Sequence, residues 1–219
     1  MGKLLLLLFL IANCPAIHSQ EYPFKLYTSP LLAVDYISRP IISIGGEYVI
    51  SDKWGIAAEY GLKYKNNYEH DTTWIKSKGY TYRFELKYYD IHKFKKSNLR
   101  NYISLEYRYI KDNHTESFDY DIDSLSVEHT TDYYGALENI FIGNIKYGLI
   151  IRLGKRFYTD VYCGLGVRYR GIKNTHREYN TDLGHEPAYV DNLFDGYGLD
   201  DNAGLKPNFS LGFKFGIRF

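Results

Sequence analysis

From residue 24 onward the chain alternates apolar with polar or small side chains in a period of two. That period belongs to β-strands, whose successive side chains point to opposite faces. Eight segments carry it. The first covers 24–36, with Leu26, Thr28, Leu32, Val34 and Tyr36 on one face and Lys25, Tyr27, Ser29 and Asp35 on the other. The second, 41–50, sets Ile42, Ile44, Tyr48 and Ile50 against Ser43, Gly45 and Glu47. The third, 54–64, sets Trp54, Ile56, Tyr60 and Leu62 against Gly55, Glu59 and Lys63. The fourth, 79–90, sets Tyr80, Tyr82, Phe84, Leu86 and Tyr88 against Thr81, Arg83, Glu85 and Lys87. The fifth and sixth, 99–111 and 140–153, place Leu105 and Tyr107, then Ile145, Tyr147 and Leu149, opposite Glu106, Arg108, Lys146, Gly148 and Arg152. The seventh, 157–170, sets Val161, Cys163, Leu165 and Val167 against Asp160, Tyr162, Arg168 and Arg170. The last, after residue 206, sets Phe209, Leu211, Phe213, Phe215, Ile217 and Phe219 against Ser210, Gly212, Lys214, Gly216 and Arg218. No segment beyond residue 20 has the period of a long helix.

A water-soluble sandwich also alternates, but its apolar face points inward. Here the other face mixes Gly, Ser and both signs of charge, which suits a narrow, filled interior rather than open water. The connections support this inversion. They are short after the second and sixth segments (Ser51-Asp52-Lys53 and Gly154-Lys155-Arg156) and modest over 92–98. They are long after the third, fifth and seventh, at 65–78, 112–139 and 171–206. Short turns at one end and long loops at the other fit an even-stranded membrane barrel with both termini at the short-turn end. The short link at Ser38-Arg39-Pro40 departs from that rule. Tyr48, Trp54, Tyr88, Phe157 and Phe219 fall at one set of strand ends, and Tyr36, Tyr64, Tyr80, Tyr109 and Tyr169 at the other. Aromatic girdles around an aliphatic band are what two bilayer interfaces select. The expected fold is all-β: one domain over 20–219, an eight-stranded antiparallel up-and-down transmembrane β-barrel.

Composition fits the pattern. Of 219 residues 45% are hydrophobic and 17% aromatic, yet mean hydropathy is −0.38 and 24% are charged. That is too polar for a bundle of membrane helices and too aromatic for a disordered chain. A net charge of +1 provides no field for nucleic acid. Met1-Gly2-Lys3 followed by the apolar run Leu4–Ala12 and Pro15 predicts a secretory signal peptide over 1–19, cut after Ser19. The competing reading is a lipobox at Ile11-Ala12-Asn13-Cys14, with Cys14 lipidated. Cleavage at Ser19 leaves Cys163 alone, with no internal disulfide and an inert apolar role.

Three runs carry a family resemblance: Ser29-Pro30-Leu31-Leu32, Ser43-Ile44-Gly45-Gly46-Glu47-Tyr48 and Ser51-Asp52-Lys53-Trp54-Gly55-Ile56. Over residues 25–64 the chain resembles the small outer-membrane barrel proteins of unknown function common in Bacteroides-type bacteria. The strand closing on Phe219 agrees with the general terminal signature of outer-membrane barrels. The resemblance implies an eight-stranded barrel in the outer membrane and carries over no catalytic residue.

The inward face is expected to hold Asp35, Glu47, Glu59, Glu85, Glu106 and Asp160. Its bases are Lys25, Lys63, Arg83, Lys87, Arg108, Lys146, Arg152, Arg168, Arg170, Lys214 and Arg218. A salt-bridged plug is the expected arrangement, with a narrow, porin-like pore as the alternative. The 112–139 loop holds eight acids and no Lys or Arg; 171–206 holds seven acids and three bases. Asp119-x-Asp121-x-Asp123 starts like a calcium loop, but Ser124 replaces the required Gly and Thr130 the bidentate Glu. His70, His114, His129, His176 and His185 fall in the long loops, without zinc or catalytic spacing. No catalytic, cofactor or metal site is therefore assigned. The expected role is non-enzymatic, structural or surface-interacting through the acidic loops, in the outer membrane with those loops extracellular. Expected partners are outer-membrane lipid and lipopolysaccharide, the barrel assembly machinery through the strand ending in Phe219, and an unidentified extracellular or outer-membrane protein; nucleic acid is not one. The alternatives are a rim enzyme acting on lipid A or peptides, a narrow pore, and a subunit of a larger complex.

Overall fold

A computed structural model of the chain describes residues 23–30, 41–63, 68–70, 73–75, 78–92, 94, 98–122, 129–178, 180–184, 186–187 and 204–219. The signal peptide expected over 1–19 lies outside the described residues, as do Asp35, Tyr36 and Tyr64. The strands are β1 (Phe24–Thr28), β2 (Ile41–Val49), β3 (Trp54–Lys63), β4 (Tyr68–His70), β5 (Thr73–Ile75), β6 (Lys78–Tyr89), β7 (Leu99–Asp121), β8 (His129–Leu153), β9 (Phe157–Thr175), β10 (Glu186–Pro187) and β11 (Gly204–Arg218). Among the described residues no helix is long and apolar enough to cross a membrane.

The antiparallel order β7-β6-β3-β2-β1-β11-β9-β8 returns to β7 through a β7–β8 ladder, so eight strands close in a ring. β10 adds to the far part of β7, at Glu186↔Asp121 and Pro187↔Tyr120. β4 and β5 form a separate hairpin. Directly opposed partners run Gly216, Tyr27, Gly45, Glu59, Arg83, Arg108, Ile142, Arg168, Lys206 once round the ring. The path re-enters β11 ten residues from its start, at 206 instead of 216. Such a stagger tilts the strands by about 40° and leaves an interior that side chains can fill.

The two faces sort as the alternation predicts. Ile44, Leu105, Ile145, Leu165, Phe209 and Leu211 point outward and are 62–68% exposed, whereas Lys87, Lys146, Asp160 and Lys214 point inward at 0%. Outward rings form a near-continuous arc toward one end: Tyr60–Tyr82 at 5.1 Å, Tyr80–Tyr109 at 6.2 Å, Tyr109–Phe141 at 5.0 Å and Phe141–Tyr169 at 6.4 Å. Trp54–Tyr88 at 5.0 Å, Phe157–Phe215 at 6.0 Å and Phe24–Phe219 at 6.5 Å mark the other, termed the termini end because the start of β1 and Phe219 meet there. Tight turns close this termini end. Ser51 and Trp54 exchange backbone hydrogen bonds, and Gly154 takes a φ of 78°, open to a residue without Cβ.

The stretch 112–139, expected as a loop, is mostly strand. The β7–β8 ladder runs unbroken from Leu99↔Ile151 to Asp121↔His129. Alternation of burial continues there (Asp112, His114; Asp132, Tyr134, Ala136, Glu138 inward), but on polar and small side chains. Apolar periodicity ends at residue 111 because the outward face ceases to be apolar, while the backbone ladder continues. Residues 171–175 extend β9 for the same reason. The expected 65–78 loop contains β4 and β5. The first strand ends at Thr28, just before Pro30, and 31–36 lie outside the described residues.

Candidate functional site

Among the described residues the ring interior gathers most of the ion-paired side chains, and it is built on pairs of Tyr and Gly. Tyr27 opposes Gly45, Tyr102 opposes Gly148, Tyr162 opposes Gly212 and Tyr158 opposes Gly216 on neighbouring strands. Each ring lies over its partner's backbone. A Cβ on Gly148 would fall 2.2 Å from Tyr102 Cζ, and one on Gly45 2.4 Å from Tyr27 Cζ. Tyr89, Tyr102 and Tyr158, together with Val49 and Ile150, form a buried apolar floor at the termini end. Two of the phenols are hydrogen-bonded, Tyr89 donating to Glu47 at 2.6 Å and Tyr102 to Asp160 at 2.8 Å, whereas the hydroxyls of Tyr27 and Tyr158 are buried without a partner.

Above the floor lies an ion-pair network. Glu47 receives Lys25, and Lys87 at 2.7 Å; Lys87 also reaches Asp160 at 2.9 Å. Glu85 receives Lys214 at 2.6 Å, Lys146 at 2.7 Å and the Ser104 hydroxyl at 2.8 Å. Glu106 receives Lys146 at 2.6 Å, Asn144 at 2.8 Å and Arg83 at 3.2 Å, and Arg83 completes its fork on Glu59 at 2.9 Å. The ammonium groups also sit over phenol rings: Lys87 at 4.2 Å from Tyr102, Lys146 at 4.2 Å from Tyr162, Lys214 at 4.6 Å from Tyr27. Glu47, Glu59, Glu85, Glu106 and Asp160 are thus matched by Lys25, Arg83, Lys87, Lys146 and Lys214, all buried. Buried charge is tolerated when paired and hydrogen-bonded; all ten groups are paired, although Glu59 Oε1 and Arg83 Nε have no hydrogen-bond partner.

Farther from the termini, Lys63 meets Asp112 at 2.6 Å, His114 Nδ1 lies 3.4 Å from Asp112, and Arg170 meets Glu138. Asp132 accepts the backbone N–H of Glu178 at 2.7 Å. The acidity assigned to a solvated loop is therefore partly internal, since Asp112, Asp132 and Glu138 are buried.

Two expected inward charges are elsewhere. Arg152 is exposed beside the β8–β9 turn. Arg218 donates to the carbonyls of Lys155 at 2.8 Å and Gly154 at 3.2 Å, capping that turn. Both have inward phase but lie at strand ends, where the ring opens to solvent. The sequence reading missed the floor: Tyr89, Tyr102 and Tyr158 were not recognised as inward, although their phase with Lys87, Ser104 and Asp160 marks them. Ile142 and Ile150 also point inward.

The remaining expectations scatter. His114 is buried in β7 and His176 is an exposed turn residue with φ 62°; His185 and Asp123 lie outside the described residues. Asp119 accepts from Thr131 at 2.7 Å within a strand pair, not a calcium loop. Cys163 is a free, exposed, outward residue. Among the described residues no group of three or more His, Cys, Asp or Glu is placed to hold a metal. No protein-family model, no curated protein and no solved structure matches the chain. Its function is thus argued from its own chemistry.

Proposed function

We propose that the chain is a bacterial outer-membrane β-barrel of eight transmembrane strands, akin to the small outer-membrane barrels it resembles over 25–64. Its role is non-enzymatic: a structural or surface-interacting protein. The observation that carries this reading is the belt of exposed Ile, Leu, Val and Phe around a ring whose charges at that height, Glu47, Glu85, Lys87, Glu106, Lys146, Asp160 and Lys214, are buried inside. A contiguous belt of that kind is far larger than the apolar patches a soluble monomer exposes. From Phe157 to Tyr169 the outward face of β9 spans twelve residue-to-residue steps of about 3.3 Å each. Tilted by about 40°, that is about 30 Å of height, the thickness of a bilayer core. Among the described residues each of the eight ring strands is paired on both sides over at least part of its length, which suits hydrocarbon, where open strand edges are not tolerated.

In this reading the termini end is periplasmic and the extended β7–β8–β9 end is extracellular. The lipid and lipopolysaccharide of the outer membrane surround the belt, and the strand running to Phe219 is the segment offered to the assembly machinery. Asp119 and the other outward groups of the extension supply the contact surface for an extracellular or membrane partner. The fully buried floor and the self-neutralised network favour a plug over a pore. The test is to fold the purified chain into lipid vesicles and compare gel mobility before and after boiling. Heat-modifiable mobility, strand-type circular dichroism and protease protection of the belt are expected. A helical spectrum, or fractionation of the native protein with soluble periplasm, would overturn the reading.

A further inference from the structure

The ion pairing of the interior is complete near the termini end and incomplete above it. Up to Glu138 and Arg170 the described inward side chains include seven carboxylates, the five matched above plus Asp112 and Glu138. They face nine cations: the five matched bases with Lys63, Arg170, Arg108 and Arg168. Arg83 opposes Arg108 directly and takes both Glu59 and Glu106 for itself. Lys63 takes Asp112 and Arg170 takes Glu138. Arg108 is left with one neutral hydrogen bond, from Nε to Thr81 Oγ1 at 3.3 Å. Arg168 Nε is buried with no partner at all. Among the described residues neither guanidinium has a carboxylate within ion-pair distance.

The two are placed to act together. Arg108, Ile142 and Arg168 are direct partners on β7, β8 and β9. Their backbones are thus two strand spacings apart, about 10 Å, a span that two arginine side chains close across the ring. Ile142, 7% exposed, lies between them as an apolar floor. Both arginines are only partly buried, so solvent reaches the site. Unpaired guanidinium groups in such a place are costly, and their forks match oxyanions with two or more oxygens.

We propose that the upper interior binds a small oxyanion, of the phosphate or carboxylate class, between Arg108 and Arg168. The site depends on the ring interior alone and not on the membrane location, so the two readings can fail separately. The full chain, folded in detergent without phospholipid, is titrated with inorganic phosphate by calorimetry, and thermal unfolding is followed in parallel. Saturable binding and a raised unfolding midpoint are expected. Arg108→Gln and Arg168→Gln should each weaken binding about tenfold or more, the value of a charge-assisted hydrogen bond. Lys173→Gln, on an exposed residue of β9, should leave it unchanged. Arg108→Lys and Arg168→Lys keep the charge and lose the fork, so they serve where the Gln variants do not fold, and should also weaken binding. Absence of saturable binding by the folded chain would overturn the proposal. So would equal affinity in the variants, which would mean an adventitious ion only. Binding seen only with a phosphorylated lipid in the micelle, and indifferent to both arginines, would move the anion to the outer surface and overturn it too.

Discussion

Replacing Glu85 with glutamine removes the charge of a buried carboxylate that has three partners. Glu85 holds Lys214 at 2.6 Å, Lys146 at 2.7 Å and Ser104 at 2.8 Å, with its side chain 1% exposed. The three partners are not equally affected. Lys146 keeps Glu106 at 2.6 Å, and Ser104 can still donate to an amide oxygen. Among the described residues Lys214 has no second carboxylate within ion-pair distance, and it lies over the rings of Tyr27 and Tyr162. The substitution therefore strands one buried ammonium, and breaking a buried pair from one side costs about 3–5 kcal/mol. Urea unfolding of the detergent-folded chain should show it as a midpoint lowered by about 1–3 M at ordinary slopes. Adding Lys214→Met removes the stranded charge and should recover most of the loss. Lys146→Met alone should cost less than Glu85→Gln, because Glu85 retains Lys214 and Glu106 retains Arg83. If Glu85→Gln costs under about 1 kcal/mol, the value of a solvated pair, the interior is wet and the reasoning fails. Failure of Lys214→Met to rescue would refute it equally.

The wall and floor give further expectations. Leu105→Arg, on an outward residue 62% exposed, should cost about 2–4 kcal/mol in folding into vesicles; a change within about 0.5 kcal/mol would mean that this face meets water. Gly148→Val should fail to yield the heat-modifiable form, since its Cβ would lie 2.2 Å from Tyr102, whereas Gly143→Ala, with nothing within 4 Å, should fold normally. In planar bilayers the wild-type chain should show no steady conductance, and a double Tyr89→Ala/Tyr102→Ala variant should show one, because those rings close the floor; a conducting wild type would contradict the plug.

Much of this was legible in one dimension because a strand exposes alternate residues to two environments. Leu105 and Tyr107 had to share a side of their strand, as did Glu85 and Lys87 of theirs, whatever those strands paired with. The short turns at 51–53 and 154–156 were readable for a similar local reason. The limits of the strands were not. Past residue 111 the apolar signal stops, yet the ladder continues to Asp121, because backbone hydrogen bonding does not depend on side-chain hydropathy. Local composition likewise could not tell Asp112 and Glu138, which are buried, from solvated loop acids.

Periodicity thus settled which residues of a strand share a side, since that follows from the pleat of a single chain; that the charged side is the inner one was decided by closure of the ring. Pairing of the charges was settled only by closure of the ring. Lys214 meets Glu85 and Lys87 meets Asp160 across 129 and 73 residues, distances over which no pattern in the chain constrains a contact. The ten-residue stagger brings those groups to one level and, among the described residues, leaves Arg108 and Arg168 without a carboxylate at ion-pair distance. That shortage is a property of the register, and it is invisible in a chain whose net charge is only +1.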